Sequence, residues 1–449
     1  RGLGDVYKRQ DITQSPDGRW IVQGVDIEEL AGSRDVGAEQ AANVLVDIRN
    51  VDVRLMLADQ EQPIALVVAS LEIDRNERRT RIRAQIELPE AFGGRVNLTA
   101  VQRQEEESQA IWQVTADSRG LELARWSEFQ PRLLPNVQAG TADIVLSARR
   151  AGDAWQTASA DLALNEVEGS QTAGLAPFSA EGHIEYVRET GGWMLAASGL
   201  SLDTVDEDWP EATLQVRPRL TDSGDLQALS ARASYVNLDD LRYFRSWLGG
   251  NTRTIVDDLA LSGRLSDVSF DVSALDTEKP LYDIAADFTD AGMAATDSIP
   301  GVRGLTGRLR ADSSGGRLEI DSTDVTLSLP EQLAEPIRID DAVGTVIWRA
   351  NDDGTTVLSD SIRVRNAELD SQSSLQLVLP ADGSAPLLDL ESEWSINDIS
   401  AAPRYLPQKL IAPGLYRWLS TALVAGSIPN GRTRLTGPID QFPFDGGEG

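Results

Sequence analysis

Stretches of strand length that alternate apolar and polar residues recur along this chain, and no other feature constrains its fold so strongly. In Arg81 to Leu88, the residues Ile82, Ala84, Ile86 and Leu88 fall on one face, and Arg81, Arg83, Gln85 and Glu87 on the other. The pattern returns with Leu318 and Ile320, with Val325, Leu327 and Leu329, with Leu375, Leu377 and Leu379, and with Leu388, Leu390, Trp394 and Ile396. A period of two gives each strand one dry face and one wet face. A sheet of such strands must cover its apolar face with more protein or with a ligand. These apolar residues are therefore candidate core and candidate site at once.

Turn chemistry sets the connectivity. Asn351-Asp352-Asp353-Gly354, Ser313-Ser314-Gly315-Gly316 and Gly191-Gly192 each separate two alternating runs, as tight loops between antiparallel strands do. Long helical crossovers, the mark of parallel α/β folds, are nearly absent. Three short helical signals follow strands, at Arg125-Trp126, Arg242-Tyr243 and Arg404-Tyr405. Around the middle one, Asp239 or Asp240 is placed to cap a helix carrying Leu241, Phe244 and Leu248. A further helix is predicted from Pro413 to about Ala425, with Gly426 closing it. The chain thus reads as mainly β: an elongated, curled antiparallel sheet forming a groove, made of long irregular repeats with a few short amphipathic helices. With roughly 20 to 25 strands at about 4.8 Å spacing it would extend on the order of 100 Å.

The expected segments are 11–130, 131–250 and 251–405 for three stretches of groove, with 406–449 holding a helix and the start of another. Residues 1–10 (RGLGDVYKRQ) read as a non-native, adapter-derived segment, and both ends read as cut.

The 71 acidic against 41 basic residues give a net charge of -30, which repels polyanions, so nucleic acid is excluded as a partner. No cysteine is present, which removes disulfides and thiolate metal sites. No run of 18 apolar residues exists to span a bilayer as a helix. The single histidine, His183, lies in a strand pattern without a nucleophile motif, and no Gly-Lys-Ser/Thr phosphate loop occurs. Gly301 to Gly307 reads as a loop feeding a strand at Arg308 to Arg310. The acidic group Asp203, Asp206, Glu207, Asp208 and Glu211 lacks the spacing of a calcium loop and reads as a solvated hairpin tip. No catalytic residue, metal site or cofactor is expected. An enzyme acting on glycans rests only on the abundance of carboxylates, and a structural or adhesive scaffold with self-packed sheets remains open beside a ligand-binding sheet.

The C-terminal block is the most specific stretch. Arg404-Tyr405-Leu406-Pro407, Leu415-Tyr416-Arg417-Trp418-Leu419, Ala422 to Gly426, Pro429-Asn430-Gly431 and Gly437 through Phe442-Pro443-Phe444 together resemble the central region of the YhdP family, among the AsmA-like proteins of Gram-negative envelopes. Leu88-Pro89-Glu90, Gly93-Gly94-Arg95, Pro300-Gly301 and Leu379-Pro380 are similar to it too. The resemblance implies a periplasmic, inner-membrane-anchored bridge-like lipid transfer protein. Its β groove would carry phospholipid between inner and outer membrane, with the membrane contacts made by segments missing here. It supplies no catalytic motif.

Overall fold

The computed structural model describes residues 10–15, 19–22, 25–26, 44–56, 63–76, 79–103, 110–131, 134–169, 175–205, 208–245, 258–275, 277, 279–296, 300–330, 333, 335–406, 411 and 413–439. Leu248, Asp206, Glu207, Pro407 and the ends 1–9 and 440–449 fall outside them. The chain divides into two compact units, 1–213 and 214–449.

In the first unit β1 (Gln10–Gln14), β2 (Trp20–Val22) and β3 (Val25–Asp26) precede nine longer strands: β4 (Val44–Met56), β5 (Ile64–Asn76), β6 (Arg79–Glu87), β7 (Arg95–Arg103), β8 (Ile111–Glu122), β9 (Val137–Ala151), β10 (Ala154–Gly169), β11 (Phe178–Glu189) and β12 (Gly192–Asp203). From β4 onward each strand pairs antiparallel with the next, and β1 joins β4 in parallel. The second unit is the same kind of meander. It runs through β13 (Ala212–Leu220), β14 (Leu226–Asn237), β15 (Ser262–Ser273), β16 (Leu281–Met293), β17 (Gly301–Asp312), β18 (Gly315–Ser328), β19 (Ile337–Asn351), β20 (Gly354–Arg365), β21 (Leu369–Pro380), β22 (Leu387–Ile396) and β23 (Ile428–Pro438). Neighbours again pair antiparallel in chain order. The strands of neither unit close into a barrel: among the described residues β4 does not pair with β12, nor β13 with β23.

The strands are bent as well as twisted. Register shifts interrupt the ladders at Val68/Ser70, Ser118/Leu121, Ser266/Ser269, Phe288/Ala291, Gly344/Ile347 and Ser359/Ile362. Such bulges bend a strand and sharpen its twist, which curls the sheet. Short polar side chains take the left-handed backbone this needs, with φ of 53° at Asn50, 50° at Asp267, 52° at Asp290 and 56° at Asp324. Buried hydroxyls serve the backbone there. Ser322 Oγ accepts from Thr306 N at 2.8 Å and donates to Thr306 O at 2.9 Å, and Ser359 Oγ donates to Thr345 O at 2.7 Å.

The two ends of the strands differ. In the first unit β9–β10 and β11–β12 are joined at one end of the strands by turns of two residues, and in the second β17–β18 and β19–β20 are joined likewise. In each unit the opposite end carries these helices: in the first Glu90–Phe92 after β6 and Leu123–Phe129 after β8, in the second Asp239–Arg242 after β14 and Ile399–Tyr405 with Pro413–Ala422 after β22. The signals at Arg125-Trp126, Arg404-Tyr405 and Pro413 fall in helices, whereas the middle one is a single 3-10 turn that ends at Arg242 and leaves Tyr243 and Phe244 beyond it. The full packing is at this end too. In the first unit Ile64, Phe92 and Phe129 form a buried cluster with Leu55, Leu88 and Trp126 around it. Its rings meet edge to face at 5.2 and 5.8 Å, and Trp126 Nε1 donates to Phe92 O at 3.1 Å. In the second, Val325, Ile339 and Ala342 are buried, with Val302, Ile320, Leu327 and Val364 packed on them.

Two local expectations change. Gly301 to Gly307 is not a loop but the first half of β17, bulged at Gly304 (φ 81°), because the ladder to β18 resumes on both sides of the bulge. Neither Asp239 nor Asp240 caps its helix: Leu238 holds that position without a side-chain bond, and the Asp239 carboxylate instead accepts from Gly263 N at 2.8 Å.

Candidate functional site

Register converts the alternation into a surface. In the first unit Ile48, Leu71, Ala84, Leu98, Ala116, Leu146, Ala160, Ile184 and Ala197 are successive cross-strand partners, one apolar row through β4 to β12. A parallel row carries Ile73, Ile82, Ala100, Val114, Ala148, Ala158, Tyr186 and Leu195. In the second unit Gly316, Trp348, Val357, Leu377 and Leu388 form one row, and Leu375, Leu390 and Leu435 part of the next. Ser371, Ser373, Ser392 and Thr433 interrupt this face, with Ser373 Oγ donating to Ser392 Oγ at 2.9 Å.

The candidate residues divide by depth. Ile82, Leu318, Leu375, Leu377, Leu388 and Leu390 lie on the apolar face half-buried, and Leu379 is 38% exposed. Two facing sheets would bury such residues fully. These residues stop short of that burial. Ile86, Ile320 and Leu327 share the face nearer the helical end, and Ile320 and Leu327 pack on the buried cluster there. Val325 is sealed inside that cluster at 3% exposure, and Leu88 and Leu329 lie past their strands' ends, Leu88 packed against the aromatic cluster. Sequence reading missed Ile73, Leu98, Val346 and Val357, which join the face as cross-strand partners of Ile82, Ala84, Leu318 and Leu377. Trp348 and Gly316 were visible only as a strand residue and a turn residue.

The opposite face is charged and wet. Arg308 Nε donates to Asp287 Oδ1 at 2.6 Å and Arg363 Nη2 to Asp370 Oδ2 at 2.7 Å, and Arg432 pairs with Glu393. The arginine hydrogen bonds hold Asp271, Asp287 and Asp370 below the usual carboxylate range. His183 is on this face, its Nδ1 2.6 Å from Asp161 Oδ1 across a strand pair. It adjoins an open depression of about 780 Å³ shared with Asp117, Glu181 and Ser198. Among the described residues no group of three or more His, Asp or Glu is arranged to hold a metal ion.

At the helical end of the second unit, Tyr405 Oη donates to Glu368 Oε2 at 2.8 Å and accepts from Asn366 Nδ2 at 2.9 Å, while Arg404 Nη1 donates to Glu368 Oε1 at 2.9 Å. Burial, reinforced by the bond to Glu368, pushes the Tyr405 phenol up to about 12. This network ties the helix Ile399–Tyr405 to the β20–β21 connection.

An open antiparallel sheet in each unit, with one charged face and one largely apolar face, defines a class of β protein whose distinguishing feature is that apolar sheet face. The chain matches the YhdP protein family over residues 13–449 and belongs to that family. It is 22% identical over 307 residues to the intermembrane phospholipid transporter YhdP of Escherichia coli (strain K12), an alignment covering 66% of this chain. The chain spans about a quarter of that relative's length, 24%. No solved structure gives a significant match.

Proposed function

We propose that this chain is a periplasmic segment of a bridge-like lipid transfer protein, whose apolar face forms a groove for phospholipid acyl chains passing between inner and outer membrane. One observation carries the reading: rows of apolar side chains run from strand to strand and stop short of full burial. The relative's name as an intermembrane phospholipid transporter supports it. A sixteen-carbon tail left in water costs about 12 kcal/mol at about 0.8 kcal/mol per CH₂. A largely apolar face removes most of that cost without any energy-coupling group of its own. Headgroups stay in water, and the arginine-carboxylate pairs of the other face keep the sheet soluble. Membrane contact and inner-membrane anchoring belong to the longer protein of which this chain is one stretch.

The test is face-specific. A photocrosslinker at Leu377, on the apolar face, captures phospholipid in cells, while one at the adjacent Gln376, on the polar face, does not. Equal capture at both, or none at Leu377 and Leu327 alike, overturns the reading in favour of a sheet that serves as a scaffold.

A further inference from the structure

Two tryptophans on the apolar face of the second unit lie flat on glycines of the neighbouring strand. Trp348 on β19 is the cross-strand partner of Gly316 on β18, and Trp394 on β22 is the partner of Gly431 on β23. A Cβ built at Gly316 would stand 2.2 Å from Trp348 Cζ2, and at Gly431 2.5 Å from the same atom of Trp394. In both cases the three nearest atoms all belong to the indole and none to the backbone, so the ring occupies the place of the missing side chain. Neither glycine has positive φ. The close approach of the ring, rather than a turn or a strained backbone, is what requires glycine there. Gly307 under Phe288 differs, because a Cβ there would strike Glu319 O at 2.0 Å. Trp394 is further pinned by its Nε1 donating to Thr433 Oγ1 at 2.9 Å.

An indole standing perpendicular to the sheet, as side chains ordinarily do on a strand, would project into the space above the apolar face. Laid over glycine it adds apolar area while keeping that space clear. Trp348 lies in the same row as Val357, Leu377 and Leu388, and Trp394 beside the hydroxyls of Ser371 and Ser392, so both rings border the path along which an acyl chain would lie. We propose that Gly316 and Gly431 set the clearance of the groove by letting Trp348 and Trp394 lie down, and that these pairs control whether an extended acyl chain passes. This rests on the lipid-conduit reading above.

A methyl group at Gly316 must raise the ring by about 1 Å or more to restore ordinary contact near 3.5 Å. Gly316→Ala is therefore expected to reduce phospholipid capture at Leu377 several-fold, and Gly316→Ala with Trp348→Ala to return it to the wild-type level, because the obstruction is the displaced ring. Gly431→Ala with and without Trp394→Ala repeats the test at the second pair. The ¹⁹F spectrum of 5-fluorotryptophan-labelled protein, with the Trp348 signal assigned by its loss in Trp348→Ala, reads the ring's displacement independently of lipid. A shifted Trp348 signal together with rescued capture supports the proposal. A shifted signal with unchanged capture, or reduced capture that Trp348→Ala does not rescue, overturns it. If the wild type captures no lipid while the signal still shifts in Gly316→Ala, the conduit reading fails and the contact stands.

Discussion

Replacing Leu377 by Asp separates an open apolar face from a closed interior by energy alone. Leu377 is half-buried between Val357 and Leu388, its cross-strand partners. Full burial of a leucine stabilises by about 1.5–3 kcal/mol, so a half-buried one contributes about 1–1.5 kcal/mol. The carboxylate introduced there can stay hydrated, because the site stops short of full burial, and adds little to that loss. Val325→Asp in the same unit is the contrast. Val325 is 3% exposed and packed against Ile339 and Ala342. An unpaired charge at that site loses its hydration and costs about 4 kcal/mol or more. Urea unfolding followed by circular dichroism compares the two variants in the whole chain, with attention to whether the second unit unfolds apart from the first. The expected result is a small shift of midpoint for Leu377→Asp and loss of the folded second unit for Val325→Asp. Equal, large destabilisation by both would refute the reasoning, since it would mean that Leu377 faces a dry, filled core.

Three further outcomes follow from the same geometry. Phe129→Ala removes a buried ring from the edge-to-face triad with Phe92 and Trp126 and should cost about 3–5 kcal/mol of stability in the first unit, read from its urea midpoint. Tyr405→Phe deletes the bonds to Glu368 and Asn366; it should cost about 1–2 kcal/mol and speed hydrogen exchange over residues 399–405. Asp271, Asp287 and Asp370 titrate lower in the folded chain than when unfolded. Their contribution is therefore present above the unfolded carboxylate range near pH 3.9 and lost as pH falls through the folded values. Arg308→Met, which removes the partner of Asp287, should lower stability at pH 7, and its difference from the wild type should vanish in strong acid; a difference that persists there would exclude the carboxylate as the cause.

The charged face was the easier one to read. Arg81, Arg83 and Glu87 alternate with Ile82, Ala84 and Ile86 without interruption, and the structure keeps them on opposite sides of β6. The helices at Arg125-Trp126 and Arg404-Tyr405, and that opening at Pro413, were legible because caps, prolines and aromatic spacing are local signals. Gly301 to Gly307 misled, since glycines at short spacing mark a loop and a bulged strand equally well. Asp239 misled because a carboxylate positioned to cap a helix was claimed by the amide of Gly263, distant in sequence.

Alternation by itself determined that strands would follow one another with one dry face and one wet face, and turn residues determined that neighbours would pair antiparallel. Both are properties of segments a few residues long. Only the tertiary structure decided what lies against the dry face. Val325 and Leu377 sit in equally good alternating runs, yet one is sealed in a cluster at the helical end and the other is left half-open. The difference comes from bulges that bend the strands and from neighbouring side chains, Ile339 and Ala342 among them, that close around Val325. Cross-strand register likewise decided that Trp348 would meet Gly316, a partner 32 positions away that no local pattern could supply.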